Sequence, residues 1–502
     1  MLKRKFPEIA VVPLIALLIY FQVFFADYIY TDEANQLWHN HDGMNYSVFT
    51  VQGRWFAGFL FNKLFALLST ASEIKFLRIF SLTGWILFVF AWQYIFRLLA
   101  QRLNIEKRLV QLTGIFIICS IPVSICIGWT ACMQLFIGSL MALVSSHLWD
   151  RFMYGMNRDK KLFFFFPIGS LVAGVTSLFF YQSSFGLFLL PFFLQYLKSD
   201  TLLPGKTVMK TVLFYFIVYI FYYLIFKYSL SVQNYEQVNR AKISTDILGK
   251  LSFLFSDPLP SSFSLNILYT ARSIFSQVFA PVMMALWAIM TFIRYRKNGI
   301  LPILFRLILT IIFLAIIYLP SMVVSENFAS YRTLFAMNLA VFCLLTDSIF
   351  SFIKLETTKN IFTVCLSLFL IATGFYNFNN QFINPLKNEY KAFTGFMSKN
   401  LSENLQTVYF IRADRFMFSP YYHTLPYKDE FGLPSTNKDW VPESLVKQSV
   451  FELTGDRHKA EKINVVQFAD LAEYKNASIQ LSGNDLLVDM NKIFSDYQKE
   501  KQ

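Results

Sequence analysis

Cysteine is scarce in this chain: five among 502 residues, from Cys119 to Cys365, with no CxxC spacing. All five fall in or beside apolar runs, which argues against a disulfide framework or a thiolate metal site and for small buried apolar side chains. Charge is thin as well, since Asp, Glu, Lys and Arg make up 15% of residues and histidine occurs five times. No Walker A loop, no GxGxxG set between a strand and a helix, no HExxH and no GxSxG is present. No Asp-x-Asp stands in the basic loops described below, so neither ATP nor a nucleotide sugar is expected as direct co-substrate.

What the chain has in quantity is apolar surface. It is 55% hydrophobic and 18% aromatic with 58 Phe, and its mean hydropathy is +0.45. Runs long enough to cross a bilayer, roughly 20 residues each, recur as far as Tyr376. Spans are expected near 7–27, 79–99, 109–126, 130–149, 162–180, 183–197, 211–229, 266–293, 300–320, 333–353 and 360–377, with 56–70 a shorter packed or re-entrant segment. The fold class that follows is a polytopic α-helical membrane protein of about 11 transmembrane helices.

Net charge is +13, and acids balance bases beyond Phe378, so the excess lies in the apolar part. It concentrates in loops 97–108, 151–161, 198–210, 294–297 and 354–359, together with Lys3-Arg4-Lys5. This is the pattern of cytoplasmic loops under the positive-inside rule, and it does not suggest a nucleic-acid surface. Residues 1–378 then form the membrane domain, and 379–502 a small extracytoplasmic α/β domain. In that tail 406–411 and 464–468 read as buried strands and 389–397 and 443–453 as amphipathic helices, with weaker strands at 478–481 and 486–489.

The candidate chemistry lies at the ends of spans opposite the basic loops. Asp32 and Glu33 follow the first apolar run, with Arg54 in the same loop, and adjacent carboxylates turned toward lipid are costly. On a helix they point about 100° apart, so one faces a substrate while the other caps or pairs with Arg54. An N-cap plus a surface ion pair is the plainer reading. Tyr181-Gln182 interrupts a continuous apolar stretch. Glu326 and Tyr331-Arg332 frame another loop, where Arg332 offers a planar fork for phosphate or snorkels as an interfacial arginine. The loop 231–250 with Tyr235, Glu236, Arg240 and Lys242 reads as a solvated charge cluster. His39 and His41 form a weak i, i+2 pair, and no metal is expected.

Several pieces together resemble the GtrII-type glucosyltransferases of O-antigen modification and serotype conversion, within the membrane-embedded GT-C class. They are Tyr30-Thr31-Asp32-Glu33, Gly53-Arg54, Phe180-Tyr181-Gln182, Leu319-Pro320 with Glu326 and Tyr331-Arg332, and Asp429-Glu430-Phe431-Gly432. The resemblance implies a multi-pass protein of the bacterial inner membrane, with a cytoplasmic N-terminus and a periplasmic C-terminal domain. The implied activity moves a glycosyl group, glucosyl in that family, from undecaprenyl phosphate to a lipid-linked O-antigen or other surface glycan. No cofactor is expected beyond that donor, and a separate flippase and donor synthase would supply it. Asp32 and Glu33 are then the catalytic candidates, and Arg54, Glu326, Tyr331, Arg332, Tyr181 and Gln182 the candidates for donor phosphate and substrate. A lipid-linked oligosaccharide flippase and a polysaccharide polymerase are the competing readings.

Overall fold

The computed structural model describes residues 6–40, 46–154, 160–199, 203–236, 242–270, 273–428 and 430–501. The expected features at Lys3-Arg4-Lys5, His41, Arg240 and Asp429 lie outside them. Helices dominate. Among the described residues seven are long and apolar enough to cross a membrane, or eight if the pair Lys107–Cys119 and Ile121–Gly128, bent by 42°, is one span.

The count of 11 expected spans therefore is not reproduced, and the departures have local causes. The run expected at 183–197 is a 3-10 segment, Gln182–Leu189, followed by a nine-residue helix, Leu190–Lys198. Nearly all of it is buried by other helices. Apolarity here reflects enclosure by protein, which hydropathy cannot tell from exposure to lipid. The first span is a helix, Phe6–Tyr20, ending in a 3-10 turn, Phe21–Phe24. The run at 56–70 is an 11-residue helix, Trp55–Phe65, too short to span.

The helix Phe335–Phe352 runs through the middle of the bundle, buried almost throughout. Lys206–Gln233 and Ile274–Tyr295 turn much of their apolar length outward, as helices facing lipid do. The helix from Glu356 continues through a π-helical turn, Asn379–Ile383, to Asn400. Its 45 residues extend about 68 Å at 1.5 Å each, more than twice a bilayer core. Its far half thus begins the C-terminal segment.

That segment carries a three-stranded parallel sheet in the order β2-β1-β3, with β1 Thr407–Ile411, β2 Asn464–Phe468 and β3 Asp485–Asp489. The strands at 406–411, 464–468 and 486–489 and the helices near 389 and 443 are present, while 478–481 is not a strand. Parallel pairing demands crossover connections, here built from the helices Pro442–Thr454 and Leu471–Asn476.

The two ends of the bundle are distinct. At one, the basic loops meet: Arg102 pairs with Asp150 at 2.6 Å, Arg108 with Glu356 at 2.8 Å, Lys359 with Glu106 at 3.1 Å, and Lys198 with Asp347 at 2.7 Å. At the other lie Asp32, Arg54, Arg332 and the C-terminal segment. Ala71 N–H donates to Glu452 at 2.7 Å and Arg457 to the Trp38 carbonyl at 2.9 Å, tying that segment to the bundle.

Candidate functional site

The helix Asp32–His39 opens at Thr31, a non-glycine residue with φ of 43°. Such backbone is costly for a β-branched residue and persists only where surroundings fix it. Here they do, because Thr31 N–H donates to Ser435 Oγ at 2.8 Å. The helix period then separates the two carboxylates.

Glu33 points inward and is fully buried. It accepts from Tyr30 N–H at 2.8 Å, Arg78 at 2.7 Å, Thr130 N–H at 2.8 Å and Thr130 Oγ1 at 2.9 Å. Its ion pair is with Arg78, also fully buried, and not with Arg54 as the sequence suggested. The Arg78 guanidinium further lies 3.4 Å from the Tyr28 ring centroid. With four donors the Glu33 carboxylate is fully engaged, so it pins the loop and leaves Asp32 as the less enclosed carboxylate of the pair.

Asp32 is only partly buried. Desolvation raises its carboxyl above the ordinary range, while Arg332, the Trp440 side chain and Lys438 pull it back. It is the accessible carboxylate of the pair.

Five of the other six expected residues, Arg54, Tyr181, Gln182, Glu326 and Arg332, converge on one cavity of about 440 Å³. Arg54 Nε donates to Gln182 Oε1 at 2.9 Å, and its guanidinium lies over the Tyr181 ring at 4.5 Å. Gln182 Nε2 in turn donates to the Gln52 carbonyl at 2.7 Å and to Tyr222 Oη at 2.8 Å. Tyr222 then donates to the Gly53 carbonyl at 3.1 Å. Gly53 has φ of 73°, and a Cβ there would meet Tyr222 Oη at 2.2 Å, so both conformation and contact require glycine. Two motifs, joined through Arg54 and Gln182 128 residues apart in sequence, are thereby brought together.

Arg332 stands on the same cavity, 4.7 Å from the Trp129 ring, with Nη1 3.1 Å from Cys132 Sγ. Its carboxylate partner is Glu430, 3.4 Å away and fully buried, a residue that charge at span ends did not single out. Glu430 Oε2 accepts the Tyr331 N–H at 2.7 Å, and its carbonyl accepts from Tyr30 Oη at 3.2 Å. Burial pushes the Glu430 carboxyl upward against the pull of Arg332. Tyr331 lies behind the wall, its hydroxyl bonded to the Tyr269 backbone at 2.9 Å, so it positions Glu430 and does not line the cavity. Glu326 is on the rim, where its carbonyl accepts from Lys250 at 3.1 Å.

Desolvation first, then the charge of Arg332, lowers Arg54 below the ordinary guanidinium range. Two cations held on one cavity, with Glu430 as a carboxylate partner of Arg332, are receptive to an anion. The facing wall is apolar: Phe216, Ile220 and Leu224 line the cavity and are also exposed on the outward side of their helix. The cavity thus pairs a cationic floor with a wall continuous with the lipid-facing surface. Among the described residues no three His, Cys, Asp or Glu side chains converge as a metal site. Comparison with protein-family models, curated proteins and solved structures gives no match.

Proposed function

We propose that this protein transfers a glycosyl group, glucosyl by the sequence resemblance, from undecaprenyl phosphate to a surface glycan such as lipid-linked O-antigen. The observation that carries this reading is the cavity floor of Arg54 and Arg332 beneath a wall of Phe216, Ile220 and Leu224. An anionic headgroup on a long apolar tail matches both halves, and the tail reaches the cavity sideways from the bilayer. A free nucleotide sugar would need no such wall.

In the reaction, Asp32 takes the proton of an acceptor hydroxyl. The hydroxyl oxygen bonds to the anomeric carbon as the bond from that carbon to the phosphate oxygen breaks. Undecaprenyl phosphate leaves with the electron pair, its added charge met by Arg54 and Arg332. Gln182 and Glu430 hold the two guanidiniums in place. Orientation follows from the loop charges: the basic loops face the cytoplasm and the site faces the periplasm of the inner membrane.

The test is turnover by the purified protein in nanodiscs supplied with undecaprenyl-phosphate hexoses and a glycan acceptor. Release of undecaprenyl phosphate that requires the acceptor, and its loss in Asp32→Asn, is the expected result. Turnover of lipid-linked oligosaccharides but of no monosaccharide donor would favour a polymerase. Movement of labelled lipid across the bilayer with no bond broken would favour a flippase.

A further inference from the structure

Between the turn Ser435–Asn437 and the helix Pro442–Thr454, the chain turns outward for a few residues. Asp439 and Trp440 are exposed, whereas 430–436 before them and Val441 and Pro442 after them are buried. Trp440 is 44% exposed, unusual for so large an apolar group. The segment that carries it is tied to the helix bearing Asp32 on both sides, through Ser435 Oγ to the Thr31 N–H and through Ser444 Oγ to Asn35 Oδ1, and Lys438 stands 5.6 Å over the Trp440 ring. An aromatic face is therefore presented to solvent immediately beside the accessible carboxylate.

This loop is held from both sides. Ser435 N–H and Thr436 N–H donate to Glu389 at 2.8 and 3.0 Å, and Thr436 Oγ1 does so at 2.6 Å. Ser435 Oγ receives the Thr31 N–H, so the same turn that carries Trp440 also fixes the start of the helix bearing Asp32. Asn437 Nδ2 donates to the Ala413 carbonyl at 2.8 Å. A rigid exposed aromatic loses little freedom on binding a ligand. The helix bearing Asp32 is tied to this segment through Ser435 and Ser444, while Arg332 lines the cavity.

We infer that Trp440, with Lys438 and Asp439, forms a subsite for a pyranose ring of the acceptor glycan. The ring's axial C–H face lies on the indole, drawn by the negative π face. Lys438 donates to the sugar hydroxyls and Asp439 accepts from them, which leaves one hydroxyl directed at Asp32. This assignment rests on the glycosyl-transfer reading and adds where the acceptor sits: on the C-terminal segment, opposite the lipid-side cavity.

The experiment applies full-length protein in nanodiscs to an array of neutral and acidic tri- to hexasaccharides, with no donor present. Wild type is expected to bind a subset, Trp440→Ala to weaken that binding about tenfold, and Trp440→Phe to retain most of it. Equal binding by wild type and Trp440→Ala, or no glycan bound by wild type, overturns the subsite. So does quenching by brominated lipid of the emission that Trp440→Phe removes, which would make Trp440 a membrane anchor. If the glycan pattern holds but no polyprenyl donor is ever turned over, the subsite stands and the transfer reading falls.

Discussion

The two ends of the helical bundle use charge in opposite ways. At the basic end, ion pairs stitch neighbouring loops with partly exposed side chains: Arg102 and Asp150 are 30% and 25% exposed, and Glu356 is 68% exposed. Pairs of this kind contribute about 0–1 kcal/mol each. At the other end Glu33 and Arg78 are wholly enclosed and Glu430 is buried against Arg332. Enclosed charges are expensive, so they persist where they fix a geometry or take part in chemistry. The basic end thus ties neighbouring loops together, and the opposite end encloses its charges around the candidate site.

Four perturbations sharpen that contrast. The largest effect is expected from Asp32→Asn, which should lower transfer by about 10²–10⁴-fold while leaving the melting temperature in detergent unchanged or slightly raised. Equal activity would remove the proton-transfer role. Arg78→Met should leave the Glu33 carboxylate buried without its cation, costing about 3–5 kcal/mol and visible as a large fall in Tm. The matching change at the basic end, Arg102→Met, should cost no more than about 1 kcal/mol, and similar losses at both ends would erase the distinction. Gly53→Ala should strain the backbone and displace Tyr222 by about 1–3 kcal/mol, weakening the hold on Arg54 and so donor binding.

The smallest effect is on pH dependence. A base must be deprotonated, so activity should rise with pH through the Asp32 carboxyl, whose value lies above the ordinary carboxylate range. Because Arg332 holds that carboxyl down, Arg332→Gln should move this acidic limb to higher pH while lowering the maximum rate. A limb that stays in place would separate Arg332 from Asp32.

Much of this architecture is written locally in the sequence. Asp32, Glu33, Arg54 and Arg332 are charged residues at the ends of apolar runs, and that alone drew them out. The strands at 407–411 and 464–468 are short β-branched and aromatic runs between polar turns. What could not be read is pairing across distance. Arg78 sits at the edge of an apolar run and gives no sign that its partner is Glu33, 45 residues earlier. Glu430 and Trp440 belong to a polar segment where acids and aromatics are ordinary, and only the fold brings them to Arg332 and Asp32. The expected span count is not confirmed, and 183–197 shows a related reason: it is apolar because helices surround it, and one-dimensional hydropathy treats protein and lipid alike. By contrast the split between Asp32 and Glu33 follows from helical period, once the helix is known to start at Thr31.

The central claim is that the cavity between Arg54, Arg332 and the wall of Phe216, Ile220 and Leu224 receives a lipid-phosphate sugar. Its most direct test is photo-crosslinking with an undecaprenyl-phosphate hexose bearing a diazirine on the first isoprene units, read out by peptide mass spectrometry. The account predicts labels on residues 216–224 and 319–328, competed by unlabelled donor and lost in an Arg54→Gln, Arg332→Gln double variant. Labels confined to other helices, or unaffected by that double variant, would contradict it.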